Sequence, residues 1–127
     1  MLECLLIDDS RLARRICRAL VEAAGYRVTE AVDGADGLTQ ASAKRFDLII
    51  VDQFMPVMEG LDFIRAYRES GDAANNNTPM IFCTSDATPA LRNSARHLGV
   101  HGYLNKPYTA AGLARQLRDL QLVPNCR

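Results

Sequence analysis

Residues 48–52 read Leu48-Ile49-Ile50-Val51-Asp52, a continuous apolar run with three β-branched residues in its first four positions and a carboxylate at its end. β-Branched side chains lose rotamer freedom in a helix and pack well on a pleated surface, so the run is a strand. It lacks the polar alternation of a half-exposed strand and must be covered on both faces. Such a strand needs a layer on each side, which points to an α/β architecture around a mainly parallel sheet.

Signals of the same kind alternate outward in both directions. Toward the N-terminus, Cys4 to Ile7 is another apolar run, closed by Asp8, Asp9 and Ser10. From Leu12 to Ala24 the period turns helical. At about 100° per residue, Leu12, Ala13, Ile16, Cys17, Leu20, Ala23 and Ala24 fall on one side, with Arg11, Arg14, Arg15 and Arg18 in a stripe opposite. Gly25 supplies the stop. A weaker strand over Arg27 to Ala31 follows, then an Asp33-Gly34 turn and a short helix to about Lys44 with Leu38 and Ala41 as its apolar positions.

Beyond Asp52, a loop through Gly60 leads to a helix from Leu61 to about Glu69, with Leu61, Ile64 and Tyr67 inward. Gly71 to Pro79, with Asn75, Asn76 and Asn77, reads as a loop. Met80 to Cys83 is a strand ending at Thr84 and Ser85, and Thr88 with Pro89 announces a helix that Gly99 ends. Gly102 to Leu104 is a brief strand before Lys106 and Pro107, and the last helix, capped by Thr109, buries Leu113, Leu117 and Leu120. Alternation with short connections requires crossover units, hence a doubly wound, five-stranded parallel sheet with helices on both faces. No linker, repeat or low-complexity segment interrupts it. The expected division is one domain over residues 1–121 and a short tail over 122–127.

The length of 127 residues suits one core, and 48% hydrophobic against 24% charged residues exclude a disordered, collagenous or coiled-coil chain. Folding at this size buries roughly two-thirds of the unfolded surface, so neither disulfide nor structural metal is needed. Fifteen basic side chains balance fifteen acidic ones, leaving no overall electrostatic footprint for nucleic acid or anionic lipid. No apolar run approaches the roughly 18 residues of a membrane span, and Met1 leads into a strand rather than a signal peptide. The expected location is the cytoplasm. Cys4, Cys17, Cys83 and Cys126 form no CxxC pair, and the first three sit in apolar runs as small buried thiols.

Ligands of open α/β sheets bind outside the carboxyl ends of the strands. There this sequence places Asp8 and Asp9, then Asp52, then Thr84 and Ser85, then Lys106. Three carboxylates at one edge resist ionising together. A divalent cation removes that objection, and oxygen ligands suit Mg²⁺ best. Lys106 and the Thr84 hydroxyl can then orient a tetrahedral anion, the arrangement phosphoryl transfer needs. Each signal alone has an ordinary reading as a solvated loop residue, turn or cap; their joint occurrence at four strand ends of one edge gives the pattern its weight.

These residues resemble the receiver domain of response regulators, the phosphoacceptor module of two-component signalling, and in particular its single-domain chemotaxis type. The resemblance runs from Leu5-Leu6-Ile7-Asp8-Asp9-Ser10 through Asp52-Gln53-Phe54-Met55-Pro56-Val57-Met58-Glu59-Gly60 and Phe82-Cys83-Thr84-Ser85 to Gly102-Tyr103-Leu104-Asn105-Lys106-Pro107. It implies a flavodoxin-like (βα)5 fold with strand order 2-1-3-4-5. It further implies that Asp52 is the phosphoacceptor, that Asp8, Asp9, Asp52 and the backbone carbonyl of Phe54 hold Mg²⁺, and that Lys106 and Thr84 bind phosphoryl oxygens. Tyr103 matches the aromatic switch position that works with Thr84, and the Lys106-Pro107 bond is expected to be cis. Phe54 and Asp86 stand where phosphoryl lifetime is tuned, and Phe54 is bulkier and more apolar than many members carry there. The donor implied is a histidine kinase or histidine phosphotransfer protein, and the chemistry is limited to the chain's own phosphoryl transfer and autodephosphorylation.

Tyr103 also reads as a half-buried strand aromatic, and His97 and His101 as structural or solvated. The stripe of Arg11, Arg14, Arg15 and Arg18 is ordinarily a solvated face. With Lys44 and Lys106 as the lysines, however, the basic character is nearly all arginine, which favours docking of an acidic partner or, less so, an anionic nucleotide. The reading is therefore a phosphorylation-controlled switch; the alternative is a constitutive interaction scaffold. A dinucleotide enzyme would need GxGxxG, a flavodoxin a hydroxyl-rich loop in place of Asp8-Asp9, and a haloacid-dehalogenase-like phosphatase an aspartate where Phe54 stands. No DNA-binding segment is expected after the fifth helix, so output would be by contact with a downstream protein.

Overall fold

Strand and helix alternate as β1 (Leu2–Ile7), α1 (Arg11–Ala23), β2 (Tyr26–Ala31), α2 (Gly34–Ala43), β3 (Leu48–Asp52), α3 (Gly60–Arg68), β4 (Met80–Thr84), α4 (Pro89–His97), β5 (Gly102–Asn105) and α5 (Ala110–Gln121). The structure is a computed structural model that describes residues 2–70, 77–85, 88–106 and 108–121. All strands run parallel in one sheet of order β2-β1-β3-β4-β5, the doubly wound arrangement expected. Asp86, Pro107 with the Lys106-Pro107 bond, Cys126, Asn75, Asn76 and the tail 122–127 lie outside the described residues.

The unbroken apolar runs are explained by two cores, one on each face of the sheet. Cys4, Leu6, Leu48, Ile50, Ile81 and Cys83 point toward α1 and α5, meeting Cys17, Val21, Leu113, Leu117 and Leu120. Leu5, Ile7, Ile49, Val51, Met80 and Phe82 point the other way, against Phe63, Ile64, Tyr67 and Ala95. β3 is fully buried along its length. Emptying one such position, as in Ile50→Ala, costs about 2–5 kcal/mol. Cys4, Cys17 and Cys83 are free buried thiols, as read.

Local chemistry sets the element ends. Ser10, Asp33 and Thr88 are N-caps whose side chains accept from Ala13, Asp36 and Leu91 backbone N–H groups. Asp33 thus opens α2 rather than forming a turn, and Asp36 answers by accepting from the Val32 N–H at 3.0 Å. Gly25 and Gly99 end α1 and α4 with φ of +102° and +82°. Thr109 Oγ1 accepts from the Gly112 N–H at 3.0 Å at the start of α5.

Helix α1 departs from its periodicity. Leu12 and Ile16, assigned to the buried side, are 66% and 45% exposed, while Cys17 and Val21 are buried. The covered face lies roughly a quarter-turn from the expected one. The reason is Glu30 on β2: Arg14 Nε meets its carboxylate at 2.9 Å and Arg18 NH1 at 2.7 Å, so two arginines lay their stems toward the sheet and turn Leu12 and Ile16 outward. In α3, Phe63 is fully buried and Leu61 only partly, another shift of the inward face.

Candidate functional site

Register builds the site. Ile7 pairs with Val51, so Asp8 and Asp52 continue level on neighbouring strands. Thr84 ends β4 opposite Asn105, and Lys106 is the next residue, its N–H bonded to the Thr84 carbonyl at 3.1 Å. Four strand ends therefore converge, as expected from the sequence, and the Lys106 ammonium bridges the carboxylates of two of them. Lys106 Nζ lies 2.9 Å from Asp8 Oδ2 and 3.2 Å from Asp52 Oδ2.

Asp8 is completely buried. Its Oδ1 accepts from the Ser10 N–H at 2.9 Å and its Oδ2 accepts from Lys106 and from the Tyr108 hydroxyl at 3.0 Å. Its backbone is held as well, the N–H on the Ala31 carbonyl at 3.1 Å and the C=O on Arg14 NH1 at 2.8 Å. Asp9, beside it, is exposed.

Asp52 is 3% exposed although it stands at the end of its strand. The β3–α3 connection folds back over it. Gln53 N–H bonds the Cys83 carbonyl, Gly60 N–H bonds the Gln53 carbonyl at 3.0 Å, and Gln53 Oε1 accepts from the Leu61 N–H at 2.9 Å. A Cβ on Gly60 would collide with the Asp52 carbonyl, so the turn needs glycine there. Within this loop Val57 takes φ +69°, bridged by a Met58 N–H to Pro56 carbonyl bond of 2.7 Å. A β-branched residue is strained in that region. Phe54 is 47% exposed at the rim.

Burial and then the Asp8 charge push the Asp52 carboxyl up to about 6, with Lys106 opposing them. For Lys106, burial disfavours the charged form, but Asp8 and Asp52 outweigh it and the net direction is upward. Hydrogen bonding to Arg18, with Arg14 adding, holds Glu30 below the usual carboxylate range despite its burial.

Asp8, Asp9 and Asp52 can each present an oxygen with all three within 4.8 Å of one another. An all-oxygen, triply anionic donor set whose repulsion a single ammonium answers fits a hard divalent cation. Thr84 is 3% exposed beside this group. Tyr103 is half-buried, and its hydroxyl donates to the Arg92 carbonyl at 3.3 Å while the Arg92 guanidinium sits 4.8 Å from the ring centroid, so the ring is engaged with α4. The arginines are not one free stripe: Arg14 and Arg18 are ion-paired on β2, and Arg11 and Arg15 are exposed.

Gln53, Gly60 and Tyr108 shape the site without having been singled out for it. The Gly60 turn was legible within its motif, but Gln53 and Tyr108 act through contacts that composition and period do not encode.

The family model for the response regulator receiver domain matches residues 4–118. The chain is 34% identical over 119 residues to the sensor histidine kinase AruS of Pseudomonas aeruginosa, an alignment covering 94% of this chain and 12% of that protein. It is 34% identical over 117 residues to the sensory/regulatory protein RpfC of Xanthomonas campestris, covering 91% and 16% respectively. The chain thus spans less than a fifth of the length of these curated relatives. Among solved structures, the chemotaxis protein CheY4 of Vibrio cholerae superposes with a TM-score of 0.84 at 34% identity, covering 93% of this chain and 97% of that one.

Proposed function

The chain belongs to the response regulator receiver domain family, and on that premise we propose that it is a switch whose Asp52 takes a phosphoryl group from a phosphohistidine. The observation that carries this reading is Lys106 held between two buried carboxylates at the sheet's carboxyl edge. In the transfer a carboxylate oxygen of Asp52 attacks phosphorus, the P–N bond breaks, and its electron pair leaves with the imidazole nitrogen. Lys106 is within reach of the incoming group and exchanges a carboxylate partner for a phosphoryl oxygen. The Thr84 hydroxyl bonds another. Mg²⁺, held by Asp8, Asp9, Asp52 and the Phe54 backbone carbonyl, would neutralise charge on the transferring group. Phe54 and Asp86 govern how long the acyl phosphate lasts before water removes it.

Output follows from the charge added at Asp52. As Thr84 is drawn toward the phosphoryl group, Tyr103 leaves the Arg92 carbonyl and turns inward, changing the α4-β5-α5 face that a downstream protein reads. The donor, a histidine kinase or histidine phosphotransfer protein, docks on α1, where exposed Arg11 and Arg15 stand beside Leu12 and Ile16. Arg14 and Arg18 support that helix from beneath through Glu30. The working unit is residues 1–121, and its place is the cytoplasm; among the described residues no helix is long and apolar enough to cross a membrane.

Beryllofluoride with Mg²⁺, mimicking the phosphoryl group, tests the switch. Amide resonances across α4, β5 and α5 should shift. Perturbation confined to Asp52, Thr84 and Lys106 would leave the constitutive scaffold as the better account.

A further inference from the structure

Tyr108 lies two residues past Lys106 and 100 residues from Asp8, and only the fold brings it to the acid pocket. Its hydroxyl donates to Asp8 Oδ2 at 3.0 Å, the same oxygen that accepts from Lys106 Nζ at 2.9 Å, and that ammonium stands 5.9 Å from the tyrosine ring centroid. The ring packs against the core on the α1 and α5 side, a task phenylalanine would perform as well. The hydroxyl is thus a polar group added to a part-buried place, and such a group is tolerated when it has a partner.

Asp8 has no freedom to spare: the Ser10 N–H holds Oδ1, and the two donors share Oδ2. If Lys106 moves to a phosphoryl oxygen, the phenol is the donor that stays on Oδ2. We propose that Tyr108 is a positioning residue for the acid pocket, its hydroxyl fixing the Asp8 carboxylate in the orientation that cation capture requires. The proposal rests on the receiver reading of the site above. Without the hydroxyl, the freed lone pair lets Asp8 turn toward Lys106, and the three carboxylates no longer converge. A hydrogen bond that orients a metal-binding side chain typically supports affinity by tenfold or more.

The test is Tyr108→Phe, which keeps the ring, with Mg²⁺ titrated by calorimetry into the unphosphorylated protein. The Mg²⁺ dissociation constant should rise about tenfold. In the wild type Mg²⁺ should also produce a tyrosine ultraviolet difference spectrum, as the acceptor carboxylate gives charge to the ion, and Tyr108→Phe should abolish it. A double-mutant cycle with Asp8→Asn separates positioning from general softening, because in the Asp8→Asn background the second change should add nothing. Wild-type affinity with an unchanged difference spectrum in Tyr108→Phe overturns the proposal while leaving the receiver reading intact, provided the wild type binds Mg²⁺ and accepts phosphoryl from acetyl phosphate. A wild type that does neither overturns both. Fully additive losses in the cycle would mean Tyr108 is structural only.

Discussion

Asp8 receives a backbone N–H, an ammonium and a phenol, with its own main chain pinned on two sides, whereas Asp52, level with it on the next strand, takes the longer reach of the same ammonium at 3.2 Å. Burial is nearly equal, and the compensation is not. Asp8 is a fixture whose charge the fold has matched with donors. Asp52 carries a charge that burial and its neighbour disfavour, and a carboxylate held at such a cost is the one poised to react or to be neutralised.

The contrast can be broken by truncation. Asp52→Asn should abolish stoichiometric phosphorylation yet raise stability at neutral pH by about 1–3 kcal/mol, because an unfavourable buried charge is removed. Asp8→Ala should instead cost about 3 kcal/mol by stranding the Ser10 N–H and Tyr108 hydroxyl and uncoupling Lys106. Denaturant titration of both variants decides it; a shared sign of the two changes would show that the sites are equivalent.

Gly60→Ala sharpens the Asp52 side alone. Its new methyl group would press on the Asp52 carbonyl, so the turn must shift, and both effects should be visible: about 2 kcal/mol of stability lost and phosphorylation from a small donor slowed at least about tenfold. A normal phosphorylation rate in a destabilised Gly60→Ala protein would show that the turn supports the fold without placing the acceptor.

Acid should erase the difference in a definite window. The Asp52 carboxyl is raised from 3.8 to about 6 in the folded chain, so the folded state binds the proton more tightly than the unfolded one. The stabilisation from that proton is complete below about 4 and is lost as pH rises through about 6. The advantage of Asp52→Asn over the wild type should accordingly vanish near pH 4 and be full above pH 6. A pH-independent advantage would place the strain elsewhere.

The smallest effects belong to α1. Arg14→Ala should cost about 1–2 kcal/mol, since it removes one of the two arginine partners of Glu30 and releases the Asp8 carbonyl, while Arg15→Ala should stay within about 0.5 kcal/mol. Reversing Arg11 and Arg15 to Glu should slow transfer from a protein donor but not from acetyl phosphate. Equal slowing with both donors would argue for a damaged pocket rather than a docking face.

The same contrast marks what the sequence could tell. The buried runs Cys4 to Ile7, Leu48 to Val51 and Met80 to Cys83 are readable because covering both faces of a strand demands apolar residues at every position. The strand-end groups follow, because parallel register aligns Asp8, Asp52, Thr84 and Lys106 on one edge. The buried face of helix α1 is not legible in its sequence, because a helical wheel ranks residues by polarity alone and Glu30, on the neighbouring strand, decides which arginines turn inward. The burial of Asp52 depends on a loop folding back through Gln53 and Gly60, and Tyr108 meets Asp8 across almost the whole chain. Such contacts leave no period or local signature.

The central claim, that Asp52 is the acceptor and works with a cation held by its acidic neighbours, is tested most directly by intact mass after exposure to acetyl phosphate. The wild type should gain one phosphoryl group in the presence of Mg²⁺ and none without it, and Asp52→Asn should gain none under either condition. Stoichiometric labelling that persists in Asp52→Asn, or a wild type that is never labelled, would contradict the account.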